Sequence, residues 1–144
     1  MSANKIEFVR LEKEVSETGK PFRELLAPEL GKAYVIAITR DNCPACTKQK
    51  PKLDNLAKTM LRKHRNNLVF TRIHIIRPPD SEEESQRSKN LLGHYFYPTN
   101  LILIRTKDRG AVECYRNISP RMSELKRNIE TLVRGAVSIA KNGG

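Results

Sequence analysis

An unbroken apolar run, Tyr34-Val35-Ile36-Ala37-Ile38-Thr39, gives way almost at once to Cys43-Pro44-Ala45-Cys46, and an amphipathic stretch follows. This succession constrains the fold more than any other feature. A continuous β-branched run reads as a strand covered on both faces. Beyond Pro51, the residues Leu53, Leu56, Ala57, Met60 and Leu61 recur at the i, i+3, i+4, i+7, i+8 spacing of an amphipathic helix. Pro51 falls inside that pattern and predicts a kink. The two cysteines therefore stand at a strand-to-helix junction, the first at a helix N-terminus. Free backbone N–H groups and the helix dipole favour a thiolate there. Two thiols so spaced can close a small disulfide ring or grip a metal.

The rest of the chain supplies the partners such a strand needs. Ile6 to Leu11 reads as a short strand, and Phe22, Leu25, Leu26 and Leu30 as a short helix behind Pro21. The cysteine-bearing helix extends to His64. Leu68 to Ile76 is a second apolar strand, ended by Pro78-Pro79. A helix is expected from Asp80 onward, with Ser81 and Glu84 as a capping box and Gly93 near its stop. Leu101 to Ile104 and Ala111 to Arg116 form a hairpin about Lys107-Asp108-Arg109-Gly110. Ser119-Pro120 opens a final helix carrying Met122, Leu125, Ile129, Leu132, Val133 and Ala136. The order β-α-β-α-β-α-β-β-α predicts an α/β fold, a mixed central sheet of four to five strands with helices on both faces. At 144 residues the chain is expected to be a single domain over 1–144, with 141–144 a frayed tail.

The formal net charge is +11, unevenly placed. Residues 32–77 hold eleven Lys and Arg against two acidic residues, and they include the cysteine pair. Neighbouring positive charge lowers a thiol pKa and attracts acidic partners; a solvated basic helix face is the plainer account. Lys58, Arg62, Lys63 and Arg65 crowd one stretch, but no aromatic interleaving or nucleic-acid reader motif accompanies them. A nucleic-acid partner is therefore not expected. No stretch approaches the ~18 apolar residues of a membrane helix, and Met1 to Leu11 lacks an apolar signal core. A cytoplasmic address and no membrane partner are the expectations. Three cysteines, an odd number, do not make a disulfide scaffold.

Several motifs together resemble the thioredoxin superfamily over nearly the whole chain, from about Ile6 to Ala136. Cys46 is followed by Pro51 at the spacing of that family's helix-kinking proline. Gly93-His94-Tyr95-Phe96-Tyr97-Pro98-Thr99, leading into Leu101 to Ile104, is similar to the family's cis-proline loop. The hairpin and last helix follow in the same order. The resemblance implies a thioredoxin-like fold and a thiol–disulfide oxidoreductase acting on protein disulfides, served by a reductase or oxidase. In that reading Cys43, partly exposed, is the nucleophile and Cys46, more buried, resolves the mixed disulfide. Pro44, Ala45, Tyr97 and Pro98 bind substrate, the Tyr97 backbone pairing with an extended segment. Tyr95 and Phe96 suit either that groove or the core.

Departures from the family pattern are specific. Asn42 replaces the usual tryptophan before the first cysteine. Ala37 replaces the buried aspartate, and Arg72 falls near the position of a companion lysine. Extra length lies in Arg77 to Ser88. These departures leave room for an alternative, a binding module of the same fold that presents the Pro98 loop and the basic face to an acidic protein or nucleic-acid partner. No cofactor is expected. A zinc site would need Cys114 with His64, His74 or His94 to complete it, without recognisable spacing, and no metal is expected. Cys114 reads as a small strand hydrophobe alternating with Val112.

Overall fold

The computed structural model describes residues 4–142. Its elements in chain order are β1 (Asn4–Glu7), α1 (Phe8–Thr18), α2 (Phe22–Leu26), β2 (Ala33–Arg40), α3 (Pro44–His64), β3 (Leu68–Ile75), α4 (Glu83–Leu92), β4 (Thr99–Arg105), β5 (Ala111–Ile118) and α5 (Met122–Asn142). The strands form one mixed sheet in the order β1-β3-β2-β4-β5. β1 and β2 both run parallel to β3, β4 runs antiparallel to β2, and β5 antiparallel to β4.

β2 is central, and its two faces feed two cores. Ala33, Val35 and Ala37 pack with Leu53, Ala57 and Met60 of α3 and with Leu125 and Ile129 of α5. Tyr34, Ile36 and Ile38 pack with Phe8 and Leu11 of α1, Phe22 of α2 and Leu92 of α4. Helices thus cover both faces, which is why the sequence of β2 is apolar without alternation. The buried hydrocarbon on each face supplies the main driving force for the fold.

Four local expectations are corrected. The strand at Ile6 to Leu11 ends at Glu7, because Phe8, Leu11 and Val15 have helical spacing and bury against the sheet as α1. The helix at Phe22 stops at Leu26, and Leu30 lies outside it and is exposed. No capping box forms on α4. The Glu84 carboxylate instead accepts the Ile76 backbone N–H at 2.6 Å, while Ser81 Oγ accepts from Glu83 N–H at 3.3 Å. Ser119, at φ +44, lies outside α5, which begins at Met122. Of the expected tail, Lys141 and Asn142 belong to α5, and Gly143 and Gly144 lie outside the described residues.

Candidate active site

β2 delivers the chain to the cysteines through a turn fastened on both sides. Asp41 N–H bonds the Ile75 carbonyl at 3.0 Å, and the Asp41 carboxylate accepts from Arg77 N–H at 3.1 Å. Asn42 adopts a left-handed φ of 55°, a conformation asparagine tolerates, and its side chain donates to the Arg77 carbonyl at 3.2 Å. The Arg77 segment therefore braces the turn in front of Cys43.

Cys43 occupies the N-cap of α3, and Pro44 opens the helix. Pro suits that place because its missing N–H would have had no partner. The Cys46 backbone N–H donates to Cys43 Sγ at 3.2 Å. The first sulfur thus sits where helix N-terminal donors stabilise negative charge. Cys43 and Cys46 are joined in a disulfide, with Cα atoms 5.2 Å apart. Both residues are 7% exposed. The expected contrast between an open first thiol and a buried second is absent in this closed form, where each sulfur covers the other. Pro44 and Ala45 project outward beside them.

The Tyr97–Pro98 peptide bond is cis. β4 begins one residue later with Thr99 opposite Ile38, which brings this loop to the same end of the sheet as the cysteine turn. Thr99 Oγ1 donates to the Phe96 carbonyl at 2.7 Å. The Tyr97 hydroxyl shares hydrogen bonds with Ser85 and Ser88 of α4, at 3.0 and 2.8 Å. The Arg40 guanidinium lies 5.0 Å from the Tyr97 ring centroid, and the Lys89 ammonium lies 5.9 Å from it. Tyr95 and Phe96 are 81% and 62% exposed, so they belong to the surface and not to the core.

Behind the disulfide lies a cavity of about 710 Å³ lined by Cys43, Cys46, Ala37, Gln49, Arg72 and His74, among others. Arg72 and Asn100 flank Ala37 in register on the two neighbouring strands. Gln49 and Asn100 exchange two side-chain hydrogen bonds, at 3.1 and 2.9 Å, and both are buried. His74 Nε2 lies 2.7 Å from the Asp41 carboxylate, and His74 Nδ1 lies 3.5 Å from Thr39 Oγ1. Desolvation pushes the Asp41 pKa up. The Arg77 N–H and the His74 side chain outweigh it, and the carboxyl is held below its ordinary value. Arg40, Asp41, Gln49 and Asn100 did not stand out in the sequence, and His74 did so only as a possible zinc ligand. The signal was present in β3, where Arg72 and His74 alternate with apolar residues and so share one face of the sheet.

The remaining candidates scatter. Cys114 is exposed and is not a core residue. A bulge leaves it without a partner, since Tyr115 pairs with Ile102 and Glu113 with Leu103, and the extra residue breaks the alternation with Val112. Among the described residues no cluster of three or more His, Cys, Asp or Glu side chains comes together that could hold a metal ion. Among the described residues no helix is long and apolar enough to cross a membrane. Lys58, Arg62 and Arg65 line a second cavity of about 730 Å³ with Leu68 and Phe70, whereas Lys63 turns to Glu130 at 3.0 Å. Arg62 stands nineteen positions along the helix from Cys43, or about 28 Å at the helical rise. That exceeds the screening length of about 8 Å at physiological salt. The basic cluster therefore does little to the thiols, and the cations that share a cavity with them are Arg40, Lys50 and Arg72.

These features define a thioredoxin-like α/β fold with a CPAC disulfide at the head of the 21-residue helix α3. Solved structures agree with that fold. Fasciola hepatica thioredoxin shares 16% identity over 89% of this chain and 97% of its own, with a TM-score of 0.54. The thioredoxin NaTrxh from Nicotiana alata shares 19% over 91% and 94%, with a TM-score of 0.56. The Trx4 domain of ERdj5 shares 11% over 94% and 98%, with a TM-score of 0.62. At such identities the likeness extends to the fold. No protein-family model matches the chain, and no curated protein matches it.

Proposed function

We propose that this protein is a thiol–disulfide oxidoreductase that exchanges a Cys43–Cys46 dithiol with the disulfides of protein substrates. The observation that carries this reading is the closed Cys43–Cys46 pair at the N-terminus of α3, with the Cys46 N–H aimed at Cys43 Sγ. In the reduced form the same N–H and the helix dipole favour the Cys43 thiolate. That thiolate attacks a substrate disulfide and forms a mixed disulfide. Cys46 then attacks Cys43 Sγ, the substrate leaves as a thiol, and the ring closes. Pro44, Ala45, Tyr97 and Pro98 form the substrate groove, and the exposed Tyr95 and Phe96 flank it. A reductase or oxidase of the surrounding compartment returns the pair to its starting state, and the cytoplasm is the address in keeping with the sequence.

Reduction of insulin disulfides by the reduced protein tests this directly. Cys43→Ser is expected to abolish the reaction. Cys46→Ser is expected to accumulate mixed disulfides with substrate, visible as adducts on non-reducing gels. Wild-type protein that leaves insulin intact, with Cys43 titrating as an ordinary thiol, would overturn the reading.

A second reading is favoured by one observation. Lys58, Arg62 and Arg65 converge on one cavity at the far end of α3. The fold in that case presents a basic face to an acidic partner. Binding by a Cys43→Ser/Cys46→Ser double variant would support it.

A further inference from the structure

We propose that the Asp41–His74 pair is the proton acceptor for the resolving thiol of Cys46, acting across the cavity they share. The inference rests on the reading of Cys43 and Cys46 as an exchanging dithiol, and it identifies a part of that site which the cysteine motif does not contain.

The need follows from chemistry. The attacking species in disulfide exchange is a thiolate. Cys43 has the helix N-terminus to stabilise its charge. Cys46 is buried within the first turn, and burial opposes ionisation of a thiol. It must lose a proton while the substrate covers the mouth of the site. The acceptor has to be reached from the cavity side.

The cavity wall narrows the choice. Ala37 offers nothing. Gln49 and Asn100 are neutral amides that satisfy each other. Arg40, Lys50 and Arg72 carry protons already. Asp54 lines the same cavity but is engaged by Lys50 at 3.1 Å. Asp41 and His74 remain. Histidine is the side chain whose ordinary ionisation falls near neutral pH, so it can both take and return a proton.

The geometry prepares the imidazole for this task. Its Nε2 side faces the Asp41 carboxylate at 2.7 Å, and that carboxylate is fixed in turn by Arg77 N–H. With Nε2–H donated to Asp41, the lone pair lies on Nδ1. The nearest polar neighbour of Nδ1 is Thr39 Oγ1, at the outer hydrogen-bonding limit of 3.5 Å. His74 and Cys46 line the same cavity of about 710 Å³, which is large enough to hold water. Charged groups face the pair from every side. They are Arg40 on β2, Arg72 on β3, Lys5 and Glu7 in register on β1, and Lys50 and Asp54 on α3.

The step balances without an outside reagent. In the mixed disulfide, the Cys46 thiol gives its proton to His74 Nδ1. The thiolate attacks Cys43 Sγ, a Cys43–Cys46 bond forms, and the Cys43–substrate sulfur bond breaks. The electron pair leaves on the substrate sulfur, which takes up the proton that the imidazolium returns. The dithiol is oxidised and the substrate disulfide is reduced.

A two-phase release assay separates this step from the one before it. Reduced protein in a Cys114→Ser background reacts with dithiobis(nitrobenzoate). Attack by Cys43 releases one coloured thiol, and resolution by Cys46 releases the second. His74→Gln is expected to slow the second release by about 10²-fold at neutral pH, the usual worth of a positioned acid–base group, with the first release changed by less than about twofold. The pH dependence of the second rate should change with it. Asp41→Asn keeps an acceptor for Arg77 N–H. It should slow the second release by less than His74→Gln does and leave the first unchanged, so it carries the test if the glutamine variant fails to fold. A second release that is unchanged in rate and pH profile, or two releases slowed alike, overturns the relay. The Cys114→Ser parent giving only one coloured thiol defeats the exchange reading itself, a distinct result.

Discussion

His94 shows how a residue of the cis-proline loop can act on stability. It is 2% exposed, packs edge-on against the Tyr97 ring at 4.8 Å, and neither ring nitrogen has a hydrogen-bond partner. Burial, with Arg116 and Lys89 adding like charge, lowers its pKa from 6.5 to about 4. The folded protein therefore holds a neutral imidazole where the unfolded chain binds a proton. Between these two values the unfolded state takes up more protons, so stability is full above about pH 6.5 and falls as the pH drops toward 4. The group alone costs about 2 kcal/mol between about pH 7 and about pH 5. His94→Leu should remove that loss and leave stability at neutral pH equal or higher, since it also removes the orphaned nitrogens. Urea midpoints at the two pH values check this. Parallel acid losses in wild type and variant would assign the acid sensitivity to other groups.

Among the elements, the short helix α2 is tied to the β4–β5 hairpin through the Glu24 carboxylate and the Arg105 guanidinium. Glu24 accepts Ala111 N–H at 2.6 Å and the Arg105 guanidinium at 2.9 Å, while Arg105 also donates to the Ala27 carbonyl at 2.7 Å. Gly110 stands at φ +72° directly against this carboxylate, so any side chain there would collide with it. The Ala111 hydrogen bond first, and then Arg105, lower the Glu24 pKa. A lowered carboxylate pKa gives stability that is present above the ordinary value of 4.5 and is lost as pH falls through the folded one. Glu24→Gln should cost about 1–2 kcal/mol at neutral pH, since the site is part-exposed, and the cost should vanish in acid. Thermal melts of the pair in neutral and acidic buffer measure it. None of this clasp could be read from the sequence, because Glu24 and Ala111 meet only through the fold. The periodic elements could be read. β2, α3, β3 and α5 each carry a long apolar pattern with one period. The misreadings fell where a local rule competed with tertiary contact. Glu84 was drawn to Ile76 N–H and away from a capping box, and Phe8 to Leu11 followed a helical burial that six residues of sequence do not reveal.

Across the whole molecule, the cysteine pair and the clustered charge occupy opposite ends of α3. The cysteine end was legible because CPAC, Pro51 and Pro98 are residue types at fixed spacings. The cavity behind it was not, since Asn100, Ala37 and Arg72 are brought together only by the register of β4, β2 and β3. The charge was legible as a count but not as a place. Of the four clustered cations, Lys58, Arg62 and Arg65 share one cavity and Lys63 pairs with Glu130. Because the two ends are separated by about 28 Å along the helix, several screening lengths, they should respond independently to substitution. Arg62→Glu/Arg65→Glu lowers the formal net charge from +11 to +7, each replacement changing it by two. If the basic cavity receives an acidic partner, this variant should bind labelled polyglutamate at least about tenfold more weakly, a difference of about 1.4 kcal/mol. Wild-type affinity should itself fall steeply with added salt. Insulin reduction should be unchanged in the same variant, because no reacting atom lies near the substitutions. Equal polyglutamate affinity in variant and wild type would show that the three cations form a solvated helix end.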